Sequence, residues 1–139
     1  MLTTCSTRPL INKLGIKSGQ KILILHAPEN YLSELGILPD NVTLNKKLIT
    51  NLDFIHFFTK DSIELNAHFP KLKKSLNQNG MLWISWPKLK SKIKTDLNEN
   101  IIRDIGLEAG LVDVKVCAIN DIWSGLKFVY RLQDRNTSN

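Results

Sequence analysis

Three short, almost continuous apolar runs separated by turn residues constrain the fold of this chain most strongly. They read KILILH at residues 21–26, DFIHFFT at residues 53–59 and MLWISW at residues 81–86. Runs of this length, bounded by residues such as Gly19, Pro28 and Pro87, are typical of strands buried on both faces. Because such strands occur mostly in parallel sheets with helices between them, the pattern predicts an α/β fold.

Helical spacing of apolar residues fills two of the intervals. One segment runs from Asp61 to Gly80 and the other from Asp96 to Gly110. Each begins with an acid followed three positions later by Glu, a pair typical of a helix N-terminus. We therefore expect two helices, with Asp96 as the N-cap of the second. A kink or a new helix is expected at Pro70, because proline has no backbone donor.

Three weaker segments are also predicted as strands. Residues 42–48 form a less buried strand, and residues 112–119 and 126–132 are predicted to pair as a C-terminal antiparallel hairpin. Only residues 49–52 separate the second predicted strand from the third, which is too short for a helical crossover. Those two strands are therefore either antiparallel neighbours or separated in the sheet.

The length of 139 residues predicts one α/β domain, with a core at about residues 8–132 and a frayed tail at residues 133–139. The longest apolar runs are far below the roughly 20 residues that span a bilayer. Residues 1–8 lack the features of a secretory signal. We therefore expect a cytoplasmic protein with no membrane partner, and the oligomeric state stays open.

The predicted order of elements resembles the core of class I S-adenosylmethionine-dependent methyltransferases, with one strand and its helix missing after residue 48. The chain is also similar to a small bacterial family labelled domain of unknown function 3052. The segments that carry this second resemblance are LGIKSGQKILILHAPE at residues 14–29, WISWPK at 83–88, TDL at 95–97 and GLVDVKVCAINDIWSGLKFVYR at 110–131. The resemblance implies a truncated Rossmann-like fold, with a mostly parallel sheet and helices on both faces. It implies almost no chemistry, and the family has Asn where this chain has His26.

The loop after the first strand lacks the glycines that a methyltransferase or dinucleotide fold uses to bring its backbone close to a cofactor. No glycine occurs between Gly19 and Gly36. The second strand also lacks a terminal acid for ribose hydroxyls, because residues 45–47 read NKK. We therefore expect no cofactor and no catalytic residue, and the scattered histidines predict no metal site.

Candidate ligand-binding residues follow the strands, at the edge where open α/β sheets bind ligands. We expect them to form one rim pocket for a small ligand, with an anion as one candidate. Trp86 and Trp123 are more often packed at the edge of a core than stacked on a ligand, because aromatic side chains contribute a large buried area. The candidates are His26, Pro28, Glu29, Trp86, Lys88, Thr95, Asp96, Trp123, Ser124 and Lys127.

These features favour a methyltransferase-like domain without the glycine-rich cofactor loop, which acts as a non-catalytic small-ligand-binding or regulatory module. One alternative is an S-adenosylmethionine-dependent methyltransferase with a rearranged cofactor loop. The other is a basic domain that docks on nucleic acid or an acidic protein. The net charge of +6 supports this second alternative. The lysines at alternate positions from Lys88 to Lys94 also support it, because they would share one side of an extended segment. No aromatic residue interleaves with these lysines, so base stacking lacks support.

Overall fold

The structure, a computed structural model, describes residues 8–135. Its strands are β1 (Lys21–Leu25), β2 (Thr43–Asn45), β3 (Leu52–Phe58), β4 (Leu76–Pro87), β5 (Leu111–Ala118) and β6 (Trp123–Tyr130). The α-helices in this part of the chain are α1 (Leu10–Leu14), α2 (Tyr31–Leu35), α3 (Ser62–Ser75) and α4 (Glu99–Glu108). The strands form a single sheet in the order β2-β1-β3-β4-β6-β5.

The first four strands are parallel, and β6 lies antiparallel between β4 and β5. This arrangement confirms the predicted α/β class, the mostly parallel sheet and the C-terminal antiparallel hairpin. β1 lies between β2 and β3, so the two strands joined by the short connection are separated in the sheet. The strand β2 is shorter than predicted, and it forms the outer edge of the sheet beside β1 alone.

Helices cover both faces of the sheet, as predicted. On one face, α3 and α4 bury a core that includes Phe69, Ile102 and Phe128. On the other face, α1 and α2 pack over Phe54, Phe58 and their neighbours. The indole Nε1 of Trp83, in β4, donates a hydrogen bond of 3.0 Å to the carbonyl of Leu14. This bond ties α1 to the middle of the sheet.

Two predicted helix boundaries were wrong. The helix α3 continues through Pro70 but ends at Ser75, because Leu76 has an extended backbone and pairs with Leu52 at the start of β4. The N-cap of α4 is Asn98, whose side chain accepts from the backbone of Ile101 at 2.9 Å, rather than Asp96.

Asp96 instead binds the first residue of α3, which lies 34 positions earlier in the chain. Its Oδ1 accepts from the backbone N–H of Ser62 at 2.9 Å, and its Oδ2 accepts from the Ser62 hydroxyl at 2.5 Å. These two bonds lower the pKa of the Asp96 carboxyl. The side chain is therefore a tertiary tie between the α4 approach and the start of α3.

The C-terminal hairpin contains an irregularity that sets which side chains face each other. Asp113 pairs with Phe128, but the next pair is Lys115 with Lys127, so Val114 is an extra residue in β5. After β6 the chain forms a 3₁₀ turn at Leu132–Asp134, where a frayed tail was predicted. Residues 136–139 of that predicted tail lie outside the described residues. No helix within residues 8–135 is long and apolar enough to cross a membrane.

Candidate functional site

A cavity of about 440 Å³ opens at the carboxyl ends of β1 and β2. Open α/β sheets bind ligands outside the carboxyl ends of their strands. The cavity is within the size range of small-molecule sites. Its lining residues are Ile24, Ala27, Pro28, Glu29, Leu32, Leu44, Asn45 and Lys46.

The loop that shapes this cavity turns sharply after β1. His26 adopts a positive φ of 59°, in the left-handed region that non-glycine residues adopt rarely. The carbonyl of Pro28 then accepts from Tyr31 at 3.1 Å, and the carbonyl of Asn30 accepts from Glu34 at 3.0 Å. These bonds start α2 directly after the turn, so the loop reaches the helix without glycine.

The cavity combines apolar walls with a few polar groups. Leu32 and Leu44 are large apolar side chains that remain 52% and 42% exposed beside it. The amide Nδ2 of Asn45 donates to the carbonyls of Ile22 and Thr43, both at 3.3 Å, so its oxygen is the atom it can offer to a ligand. Glu29 adds a carboxylate at the rim. Apolar surface beside two oxygen acceptors suits a flat heterocycle joined to a sugar that carries hydroxyl groups, as in adenosine.

A second polar group lies on the α3 side of the same loop. The Nδ1 of His26 is 3.6 Å from Oε2 of Glu64, and the other oxygen of Glu64 accepts from the Thr59 hydroxyl at 2.6 Å. The His26 ring also contacts Phe57 and His68, with centroids 5.1 and 5.7 Å apart. His26 therefore lies at the predicted edge, but its side chain does not line the β1–β2 cavity.

Three more of the predicted residues lie further along the edge. Thr95 and Asp96 line a cavity of about 410 Å³ with Lys60, and the Thr95 hydroxyl donates to the Lys60 carbonyl at 2.7 Å. Both also line an adjoining cavity of about 370 Å³ with Trp86. Trp86 is only 7% exposed, so most of its ring packs in the core.

The remaining predicted residues are divided between the edge and the sheet. Trp123 packs edge-on against Phe58 and shares a small cavity with Pro28. Ser124 pairs with Trp86 across β4 and β6, and Lys88 bonds through its backbone to Ile122. The single rim pocket is thus not observed. Pro28 lines one cavity with Glu29 and a second with Trp123, and these three residues form one group. Trp86, Thr95 and Asp96 line a common cavity and form another.

Lys127 lies away from both groups, because β6 is antiparallel to β4. The first residue of β6, Trp123, pairs with Pro87 at the ligand-binding edge, whereas Lys127 pairs with Trp83 in the middle of the sheet. At about 3.3 Å per residue, the four intervening steps place Lys127 roughly 13 Å inside the edge.

Sequence reasoning missed a buried polar chain across the α2 side of the sheet. His56 is fully buried. Its Nδ1 lies 2.6 Å from the Tyr31 hydroxyl, and its Nε2 lies 2.6 Å from the Ser85 hydroxyl. Burial lowers the pKa of His56 to about 3 and raises the pKa of Tyr31. One histidine inside an apolar run was the available signal. Among residues 8–135 no group of three or more His, Cys, Asp or Glu is arranged to hold a metal ion.

Solved structures similar to this one include S-adenosylmethionine-dependent methyltransferases. One, from Aquifex aeolicus, shares 19% identity over 86% of each chain, with a TM-score of 0.59. Magnesium protoporphyrin IX methyltransferase from Synechocystis, with bound S-adenosylmethionine, shares 11% identity over 88% of this chain and 74% of its own, with a TM-score of 0.58. Fibrillarin from Aeropyrum pernix, also with S-adenosylmethionine bound, shares 13% identity over 84% of this chain and 69% of its own, with a TM-score of 0.57.

These similarities show that the chain has the Rossmann-like methyltransferase fold. No protein-family model matches the sequence, so the narrower resemblance to domain of unknown function 3052 stays a prediction. No curated protein gives a significant match. The expectation of no cofactor was wrong, because structures with this fold hold S-adenosylmethionine. That expectation depended on a missing glycine loop, and the fold retains a cavity at the β1–β2 edge without it.

Proposed function

We propose that this chain is an S-adenosylmethionine-dependent methyltransferase with a rearranged cofactor loop at residues 26–30. The observation that carries the proposal is the cavity at the carboxyl ends of β1 and β2 in a protein with the methyltransferase fold. Leu32 and Leu44 would hold the adenine, and the oxygens of Asn45 and Glu29 would accept from the ribose hydroxyls. S-Adenosylmethionine supplies an electrophilic methyl group when bound.

The charge of Glu29 distinguishes the methyl donor from its product. The donor carries a positive sulfonium, whereas S-adenosylhomocysteine has a neutral thioether. A carboxylate at the rim therefore favours binding of the positively charged donor over the product. Lys46 lines the same cavity, and its positive charge has the opposite effect.

The acceptor would bind on the other side of the loop. His26 faces Glu64 through Nδ1, which leaves Nε2 to take the proton that the acceptor loses on methylation. Lys60 and Lys94 line the neighbouring cavity, and both carboxylates there are occupied by N–H groups, since Asp61 binds Ile63 and Asp96 binds Ser62. A small anionic acceptor fits this combination.

Calorimetric titration with S-adenosylmethionine and S-adenosylhomocysteine tests the proposal. We expect both to bind, and Ala27→Phe, which fills the cavity, to abolish binding of both. Glu29→Gln should weaken binding of the donor by about 1.4- to fivefold more than binding of the product, as expected for an exposed charge worth about 0.2–1 kcal/mol. Asp104→Asn, an equal loss of charge on exposed α4, is the matched control and should leave both affinities unchanged.

The proposal would be overturned if neither S-adenosylmethionine nor S-adenosylhomocysteine bound at millimolar concentration. Binding with no methyl transfer to any small anion tested would instead support the non-catalytic module.

A further inference from the structure

Two lysines face each other across β5 and β6, on the same face of the sheet as α1. These strands extend that face beyond the part that α1 covers. Lys115 and Lys127 are opposite residues of β5 and β6, as a result of the irregularity at Val114. Leu126 and Phe128 belong to the core under α3 and α4, so alternation along β6 places Lys127 on the opposite face.

This arrangement is electrostatically unfavourable in the protein alone. Like charges directly opposite each other destabilise a sheet. Across residues 8–135 no carboxylate lies within 4.0 Å of either ammonium group. Burial, followed by repulsion from Lys115 and Lys17, lowers the pKa of Lys127. Lys17, Lys115 and Lys127 therefore form a group of cations that we call the inner lysine group.

A second group of cations lies at the ligand-binding edge, where Lys88 follows Pro87, the partner of Trp123, and where α1 contributes Lys13. Burial and repulsion from Lys90 and Lys13 lower the pKa of Lys88, and Asp121 opposes this effect. The predicted extended lysine strip is not observed, because the chain forms a 3₁₀ turn at Leu89–Ser91 and Lys92 has a left-handed backbone. Lys13, Lys88 and Lys90 form the outer lysine group.

The two groups are too far apart to bind one phosphate. Lys127 pairs with Trp83, and Lys88 follows five residues later along the same strand direction. At about 3.3 Å per residue, Lys88 is roughly 16 Å from Lys127 along the strand direction. Trp123 is half-buried beside the outer group and provides the aromatic surface that the lysine sequence itself lacks.

We propose that the α1 side of the sheet binds the phosphate backbone of nucleic acid through the inner and outer lysine groups. The spacing of the two groups suits an extended polyanion, and an aromatic side chain next to cations suits bases better than an acidic peptide. This inference does not depend on the proposed methyltransferase activity, since none of these lysines lines the β1–β2 cavity.

Fluorescence anisotropy with a labelled oligodeoxythymidine of about 20 nucleotides tests the inference, at NaCl concentrations from about 50 to about 200 mM. The test variants are Lys115→Gln with Lys127→Gln, and Lys13→Gln with Lys88→Gln. We expect each pair to lower the affinity about tenfold and to reduce the slope of log K against log salt by about 1.4. Lys71→Gln with Lys74→Gln removes the same charge from exposed positions of α3 and should change the affinity less than twofold.

An equal loss in the α3 control would overturn the inference, because net charge alone would then explain binding. Equally tight binding of polyglutamate at the same salt would overturn it in favour of an acidic protein. Full competition by a few millimolar inorganic phosphate would overturn it in favour of a small anion. Calorimetry with S-adenosylmethionine on the same variants separates this result from the proposed function, since the lysine variants should retain that affinity.

Discussion

The ring of Phe128 in β6 occupies the space where a side chain at Gly106 in α4 would lie. A Cβ atom at Gly106 would be 2.0 Å from Cε1 of Phe128. Phe128 is fully buried and packs edge-on against Phe69, with ring centroids 5.7 Å apart, so the ring has little room to move. The close packing of α4 on the sheet therefore depends on this glycine.

We predict that Gly106→Ala lowers the free energy of unfolding by about 1–3 kcal/mol, as measured by urea denaturation. Helix propensity alone predicts the opposite sign, because Ala is favoured over Gly by about 1 kcal/mol within a helix. In a protein that already carries Phe128→Leu, Gly106→Ala should lower the free energy of unfolding by less than it does in the wild type. A Gly106→Ala protein as stable as the wild type would show that the ring adapts.

Buried His56 should make the protein less stable in mild acid. Its pKa is lowered to about 3 by burial, whereas an unfolded histidine titrates near 6.5. The unfolded state therefore binds the extra proton first, and stability falls as the pH decreases from about 6.5 toward 3, by at most about 1.4 kcal/mol per pH unit.

Urea denaturation between pH 7 and pH 5 measures this slope. His56→Gln keeps a donor and an acceptor for Tyr31 and Ser85 but does not titrate in this range. Its stability should depend less steeply on pH than that of the wild type. Parallel curves for the two proteins would refute the assignment to His56.

The bonds from Asp96 to Ser62 predict a second, more acidic dependence. A carboxyl whose pKa is lowered in the folded protein stabilises it above the unfolded pKa of about 3.9, and this effect is lost as the pH falls through the folded pKa. Asp96→Asn should therefore lower the Tm at pH 7, and the difference from the wild type should shrink at pH 3. A difference in Tm that is constant with pH would mean that the carboxylate charge is not involved.

The facing pair Lys115 and Lys127 should cost stability. We predict that Lys115→Gln with Lys127→Gln raises the free energy of unfolding by about 0.2–1 kcal/mol, because it removes the repulsion across β5 and β6. The same variant is expected to lose affinity for oligonucleotide. A gain in stability that diminishes as NaCl rises would identify the effect as electrostatic, and a loss of stability would contradict the prediction.

The sequence predicted the elements whose signal is local. The apolar runs at β1, β3 and β4 and the alternation in β5 and β6 reflect burial, which acts on each strand separately. Asp96 illustrates what local patterns miss: Asp96 and Asn98 are both good capping residues two positions apart, and only packing of the chain near Ser62 determines which of them caps α4.

The candidate site was harder to predict, because its residues meet through the sheet order. Pro28 and Glu29 follow β1 and reach a common cavity with Asn45 of β2, as edge geometry predicts. Lys127 was misplaced because the antiparallel direction of β6 takes it back from the edge. Lys115 pairs with Lys127 because β5 has one extra residue at Val114. The regular alternation of Val112, Val114 and Val116 in the sequence gives no sign of this irregularity.

The position of β6 between β4 and β5 also determines when the sheet can be completed during synthesis. The ribosome makes β5 before β6, yet β5 joins the sheet through β6. Until the residues of β6 have left the exit tunnel, β4 has an open edge next to Trp83 and β5 has no strand to pair with. A nascent chain of this protein therefore exposes a hydrophobic strand edge until β6 has left the exit tunnel, a period in which chaperones that bind extended apolar segments have a target.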